Sequence, residues 1–162
     1  MTAVSPRGLA AALRGAGVAE VDESARRRAE YSSDASNYRV LPSVVAFPRH
    51  VEEAAAALRV ATQFGVPVTS RGGGTSTAGN SVGRGIVLDF SRHMNRVLSV
   101  DAEARTAVAE PGAVLDDITA AAAAVFAFGA VMVTLTDAIS RLPTAPGPGR
   151  GLLDGPANRS LR

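Results

Sequence analysis

The amino-acid sequence predicts an α+β fold built around one β-α-β unit, and three observations carry that prediction. First, Val51 to Phe64 reads as a helix with Val51, Ala54, Ala55, Leu58, Ala61 and Thr62 on one face. Gly65 supplies its stop. Second, two short apolar runs frame the helix: Val44–Phe47, closed by Pro48, and Val66–Ser70. Third, more short strand-like runs follow with no helix between them. These are Gly85–Phe90, Val97–Val100 and Thr106–Ala109, the last two on either side of a turn at Asp101–Arg105.

The flanks are read in the same way. Ser5 followed by Pro6 is a helix start, with Ser as N-cap and Pro in the first turn, and the helix runs to Arg14 before Gly15. Asp22 is expected to cap a second helix that ends at Glu30, and Tyr31–Tyr38 is turn-prone and too polar for a core. Pro111 and Gly112 break the chain before a helix from Val114 to about Ala123. Beyond Ala124 the character changes. The charge-free run 120–133 is shorter than the ~20 residues that span a bilayer, so it is read as a buried helix or strand. Leu142–Arg162 opens on a stretch dense in Pro and Gly and is expected to be disordered. The organisation expected is a helical segment at 1–41, a main domain at 42–124 and a divergent tail at 125–162.

A chain of 162 residues suits one domain with a core. All 17 basic residues are Arg, against 15 acidic ones, for a net charge of +2. The missing Lys explains the high isoelectric point, so no nucleic-acid partner is inferred from it. Arg26–Arg28 is read as one solvated helical turn. The absence of Cys excludes disulfides, thiol catalysis and thiolate metal sites, and no His/Asp/Glu cluster has metal spacing. Arg14 and Gly15 interrupt any apolar leader, so a cytoplasmic location is expected. Glu52–Glu53 and Asp116–Asp117 sit in first turns of helices, where negative charge favours the helix dipole. As adjacent residues they do not face each other, so no catalytic pair is assigned.

The segment with chemistry in it is Thr69–Gly85, TSRGGGTSTAGNSVGRG. Three successive glycines, Gly72, Gly73 and Gly74, leave the backbone bare, so a ligand can approach its N–H groups without meeting a Cβ. Such turns form concave anion sites; Thr75 and Ser76 add hydroxyls and Arg71 a fixed charge. A diphosphate suits that site, and a flexible surface turn is the plainer alternative. Walker A chemistry is excluded because it needs a Lys. The Rossmann pattern is excluded because Thr77 stands where its third Gly belongs and a strand, not a helix, follows.

Several separated motifs then occur in a family's order. YSSDASNYR (Tyr31–Arg39), the strand–helix–strand unit, RGGGTSTAGN (Arg71–Asn80), VLDFSRHMNR (Val87–Arg96) and EPGAVLDD (Glu110–Asp117) together resemble FAD-linked oxidases of the vanillyl-alcohol oxidase/PCMH type. Glycolate oxidase and D-lactate dehydrogenase relatives are the nearest kind, and the likeness runs from about Tyr31 to Ala124. The resemblance implies the first α/β subdomain of a PCMH-type FAD-binding domain, with 42–124 as its incomplete extent. It implies non-covalent FAD, its pyrophosphate held by the backbones of Gly72, Gly73, Gly74, Thr75 and Ser76. Gly79 and Asn80 would lie along the cofactor towards the flavin, and Pro111 and Gly112 would turn against it. His93 lies outside the glycine loop and is a poor candidate for flavin attachment; it and His50 are read as surface or packing residues.

The same family continues with a second glycine-rich stretch and a substrate-binding cap, and nothing after Ala124 resembles either. The expectation is a truncated FAD-binding module of a 2-hydroxy-acid oxidoreductase, ended by a frameshift or a lineage-specific tail. It is expected to bind FAD weakly or not at all, to be inactive alone, and to admit a partner chain supplying the missing half. Two alternatives stay open: a remnant that binds no flavin, and a small nucleotide- or phosphate-binding protein.

Overall fold

The computed structural model describes residues 4–125. The tail 126–162, with its expected disordered end and all but the first six residues of the charge-free run 120–133, lies outside them; of those six, Ala122 is buried and Ala120, Ala123, Ala124 and Val125 are exposed. Helix α1 (Pro6–Gly15) starts as the sequence predicts: the Ser5 hydroxyl accepts the Gly8 N–H at 3.1 Å, with Pro6 in the first turn. Strand β1 (Val21–Asp22) was not foreseen. It corrects the expected cap of the next helix. Helix α2 (Ala25–Glu30) is capped by Ser24, whose hydroxyl accepts the Arg27 N–H. Asp22, two residues too early to cap, accepts the Ser24 N–H instead.

Strand β2 (Val44–Ala46), helix α3 (Val51–Phe64), strand β3 (Val68–Arg71) and strand β4 (Ile86–Asp89) follow, close to their predicted bounds. Gly65 ends α3 in the left-handed conformation at φ 61°. The sheet order is β1-β2-β4-β3, with β2 and β3 each parallel to β4 and β1 antiparallel to β2. Val45 and Thr69 both pair with Val87, and Arg71 pairs with Asp89. The parallel pair β3–β4 is joined by the glycine loop, without the helix such a crossover normally uses.

β2 and β4 are buried along their whole length, and alternation sorts their side chains onto two faces. Val44, Ala46, Ile86 and Leu88 pack under α1 and α3, with Leu9, Leu13, Ala57 and Val60. Val45, Phe47 and Val87 form a smaller cluster on the other face, covered by Tyr31. Two expectations change here. The Tyr31–Tyr38 stretch contributes to packing, since the Tyr31 ring meets Phe47 edge-on at 5.9 Å between centroids. The face α3 buries is Glu53, Ala55, Ala56, Ala57, Val60 and Ala61; of the expected face Ala55 and Ala61 are buried, whereas Val51 and Thr62 are exposed.

Strands β5 (Val97–Asp101) and β6 (Thr106–Ala109) form an antiparallel hairpin, and helix α4 (Leu115–Val125) packs on it through Ile118 and Ala122. The open end of the hairpin is closed by two contacts: the Gly112 N–H donates to the Met94 carbonyl at 2.8 Å, and Arg96 pairs with Glu110 at 2.8 Å. No helix among the described residues is long and apolar enough to cross a membrane.

Candidate diphosphate-binding site

The glycine loop leaves the C-terminal end of β3 and returns to the start of β4. Arg71 is the last residue of β3, and the Phe90 N–H donates to its carbonyl at 2.9 Å. Gly74 and Gly79 adopt φ of 70° and 79°, the left-handed region that favours glycine. What a side chain would meet differs along the loop. At Gly73 an added Cβ would have only the Thr75 methyl, at 3.7 Å, so this backbone faces open space. At Gly72 it would lie 4.0 Å from the Pro111 carbonyl oxygen, which brings the Pro111–Gly112 turn beside the loop. At Gly79 it would run into the Tyr38 ring at 2.6 Å. Thr75 is exposed; the Ser76 hydroxyl oxygen accepts the N–H groups of Ala78 and Asn80 at 3.3 and 3.1 Å. Asn80 is exposed. The structure thus groups Arg71, Gly72–Ser76, Gly79, Asn80 and the Pro111–Gly112 turn in one region.

This arrangement fits a diphosphate. Bare backbone at Gly72 and Gly73 opens outward, and the exposed Thr75 stands beside it. Neither histidine is at the loop: His93 Nε2 lies 2.7 Å from Glu20 and His50 Nδ1 lies 2.8 Å from Glu52.

Beneath the loop lies a polar network that sequence reasoning missed. The Tyr31 hydroxyl donates to Asp89 Oδ2 at 2.5 Å, and Asp89 Oδ1 accepts from the Ser91 N–H and hydroxyl. Asp89 is only 4% exposed, so these donors are what permit a carboxylate there. Burial, then the bond to Asp89, pushes the Tyr31 phenol well above its ordinary range. Tyr31→Phe should therefore cost about 1–3 kcal/mol, because it strands a buried acceptor while keeping the ring. Urea denaturation measures it, and an unchanged midpoint would show that the bond contributes nothing.

Asp34 staples the Tyr31–Tyr38 segment to the far end of the loop. Its Oδ2 accepts the Ser81 hydroxyl at 2.9 Å, and its Oδ1 accepts the Ser36 hydroxyl and N–H. The Ser36 hydroxyl, followed by the other donors, lowers its pKa from 3.8 to about 2. A carboxylate with a depressed folded-state pKa stabilises the fold above its unfolded value and loses that contribution as pH falls through the folded one. The staple should hold at neutral pH and weaken only between pH 3.8 and about 2. A carboxyl-carbon NMR titration reads this directly: a midpoint at 3.8 or higher would mean that the bonds are not formed in solution.

Comparison with known proteins gives the family and the fold. The profile of the FAD binding domain family matches residues 42–138. The chain is similar to D-2-hydroxyglutarate dehydrogenase of Pantoea ananatis, 42% identical over 96 residues, which cover 57% of this chain and 9% of that protein. It is similar to glycolate oxidase subunit GlcD of Bacillus subtilis, 36% identical over 100 residues, covering 60% of this chain and 21% of that one. Among solved structures, xylooligosaccharide oxidase from Myceliophthora thermophila superposes with a TM-score of 0.57 at 26% identity, over 72% of this chain and 25% of that one. p-Cresol methylhydroxylase shares the fold, with a TM-score of 0.54 at 16% identity over 70% and 24% of the two chains. The chain thus spans about a fifth or less of these two curated relatives. With the family profile covering more than half of its residues and the PCMH-type fold around its glycine loop, this chain belongs to the FAD binding domain family.

Proposed function

We propose that this chain provides the pyrophosphate grip of a flavin-dependent oxidoreductase acting on 2-hydroxy acids of the glycolate or D-lactate type. The observation that carries the proposal is the outward-facing bare backbone at Gly72 and Gly73, set between the ends of β3 and β4 with Pro111 beside it. In this reading residues 42–124 are the working part of the domain, following the helical segment 1–41. The backbones of Gly72–Ser76 donate to the pyrophosphate oxygens, and the Thr75 hydroxyl adds a donor. Gly79 and Asn80 line the path towards the flavin, and the Pro111–Gly112 turn closes the side next to Gly72. FAD bound there supplies a hydride acceptor. Its attachment is non-covalent, which the engagement of both histidines with glutamates supports.

The substrate class rests on the names of the similar proteins, the D-2-hydroxyglutarate dehydrogenases and the glycolate oxidase subunit. Oxidation itself is assigned to a larger assembly, in which groups outside residues 4–125, from this chain or a partner, cover the flavin and take the substrate proton. A cytoplasmic location goes with this reading.

Titration of the purified chain with FAD and with ADP tests the reading. FAD is expected to bind weakly and to be displaced by ADP, since both present the same diphosphate, and no lactate- or glycolate-dependent dye reduction should appear. Absence of FAD binding would favour a remnant without flavin. Binding of ADP without FAD would favour a small nucleotide-binding protein. Turnover by the chain alone would overturn the assignment of chemistry to a larger assembly.

A further inference from the structure

The charge of Arg71 is the obvious partner for a pyrophosphate, but its guanidinium is already engaged. Arg71 Nη1 donates to the Ser33 carbonyl at 2.9 Å and to the Ser81 carbonyl at 3.2 Å. Its guanidinium carbon lies 4.8 Å from the centroid of the Tyr31 ring. On the loop's own side, a Cβ added at Gly74 would fall 2.4 Å from Nη2, so the guanidinium fills the space under that glycine. The open backbone is at Gly73, where no part of Arg71 comes near the position of an added Cβ. One side chain therefore joins the end of β3, the Tyr31–Ser33 segment and the far end of the glycine loop. Tyr31 is in turn fixed by Asp89 on the neighbouring strand β4.

We propose that Arg71 is a positioning residue: it is the internal strut that shapes the glycine loop before the ligand arrives, rather than a direct ligand of the pyrophosphate. The physical case is one of geometry. Nη1 donates to both carbonyls while Nη2, held in the same plane, fills the space beside Gly74, and the single nitrogen of a lysine ammonium cannot occupy both positions at once. An arginine that gripped phosphate would leave its fork free for the oxygens; this one has spent a nitrogen on two backbone acceptors. The glycine at 74 is needed by the strut, and the glycine at 73 by the ligand. The role rests on the functional reading above only insofar as the loop has a ligand to receive.

The test uses the full chain and the variants Arg71→Lys and Arg71→Met, with two readouts. Amide hydrogen exchange of the ligand-free protein follows Asn80 and Ser81, whose N–H groups are held within the loop and by Asp34. Exchange at both should quicken roughly tenfold or more in either variant, while Val87 and Leu88 of the central strand report that the fold persists. ADP affinity should fall by a similar factor, tenfold or more, in both variants, and its salt dependence should keep the wild-type slope because no ion pair to phosphate is removed. Retained affinity in Arg71→Lys with loss only in Arg71→Met, and a shallower salt slope in the latter, would overturn the proposal in favour of a direct phosphate contact. Unchanged exchange at Asn80 and Ser81 would overturn it as well. Should wild-type protein bind no ADP, the functional reading fails while the exchange measurement still decides the role of Arg71.

Discussion

Gly73→Val is expected to abolish FAD and ADP binding while leaving the fold unchanged. The two halves of that statement rest on different facts. Gly73 is exposed, its φ is not in the left-handed region, and an added Cβ would make only an ordinary contact with the Thr75 methyl. Surface changes of this kind stay within about 0.5 kcal/mol of neutral. In the proposed site, however, the ligand approaches that same backbone. A branched side chain there would hold the pyrophosphate away from the N–H groups, each of whose charge-assisted bonds contributes ~1.5–3 kcal/mol. Losing two of them lowers affinity by roughly 10²–10⁴-fold. Isothermal titration paired with urea denaturation separates the effects. Equal affinity in the variant would place the nucleotide elsewhere, and a large drop in stability would mean that Gly73 serves the fold instead.

The ends of α1 and α3 were legible because their signals are local: Ser5 and Pro6 at one start, Gly65 at one stop. The glycine loop was legible as a bare connection between two strands because its glycines are written directly as RGGG. The buried face of α3 was legible only in part, at Ala55 and Ala61. Ala fills positions 54–57 and 61, so the helix has little contrast from which to read a direction. Strand β1 is two residues long and exists only because Val21 and Asp22 pair with Ala46 and Val45, far along the chain. The network under the loop was hidden for the same reason. Tyr31 and Asp89 are 58 positions apart, and Asp34 and Ser81 are 47 apart. One signal did point there. Asp89 stands inside the apolar run Ile86–Phe90, and a carboxylate in a buried strand needs a donor from somewhere.

Gly85→Ala is expected to be the most damaging single methyl group in the described fold, with Gly112→Ala close behind. A Cβ at Gly85 would sit 1.9 Å from the Pro67 carbonyl oxygen and 2.9 Å from its carbonyl carbon. That oxygen is not free to move, because it accepts the Ile86 N–H at 2.9 Å where β3 meets β4. On the other side, the Gly85 carbonyl accepts the Ser43 N–H at 2.9 Å, just before β2. Gly85 is therefore pinned between two strands, and relief would mean parting the sheet. At Gly112 the added atom would lie 2.3 Å from the Phe90 carbonyl oxygen, where the Pro111–Gly112 turn closes on the end of β4. Neither glycine has a positive φ, so the demand is one of space rather than conformation. Overpacking against backbone costs about 3 kcal/mol or more, a large share of the ~5–15 kcal/mol that holds a domain together. Gly15→Ala supplies the contrast. It lies at the end of α1 with nothing within 4 Å of an added Cβ, and should stabilise by about 0.4–1 kcal/mol. Urea denaturation of the three variants should order them Gly15→Ala, then Gly112→Ala, then Gly85→Ala from most to least stable. A Gly85→Ala protein as stable as the unsubstituted chain would mean that β3 and β4 do not approach as closely as this, and that the glycine loop between them is less firmly seated.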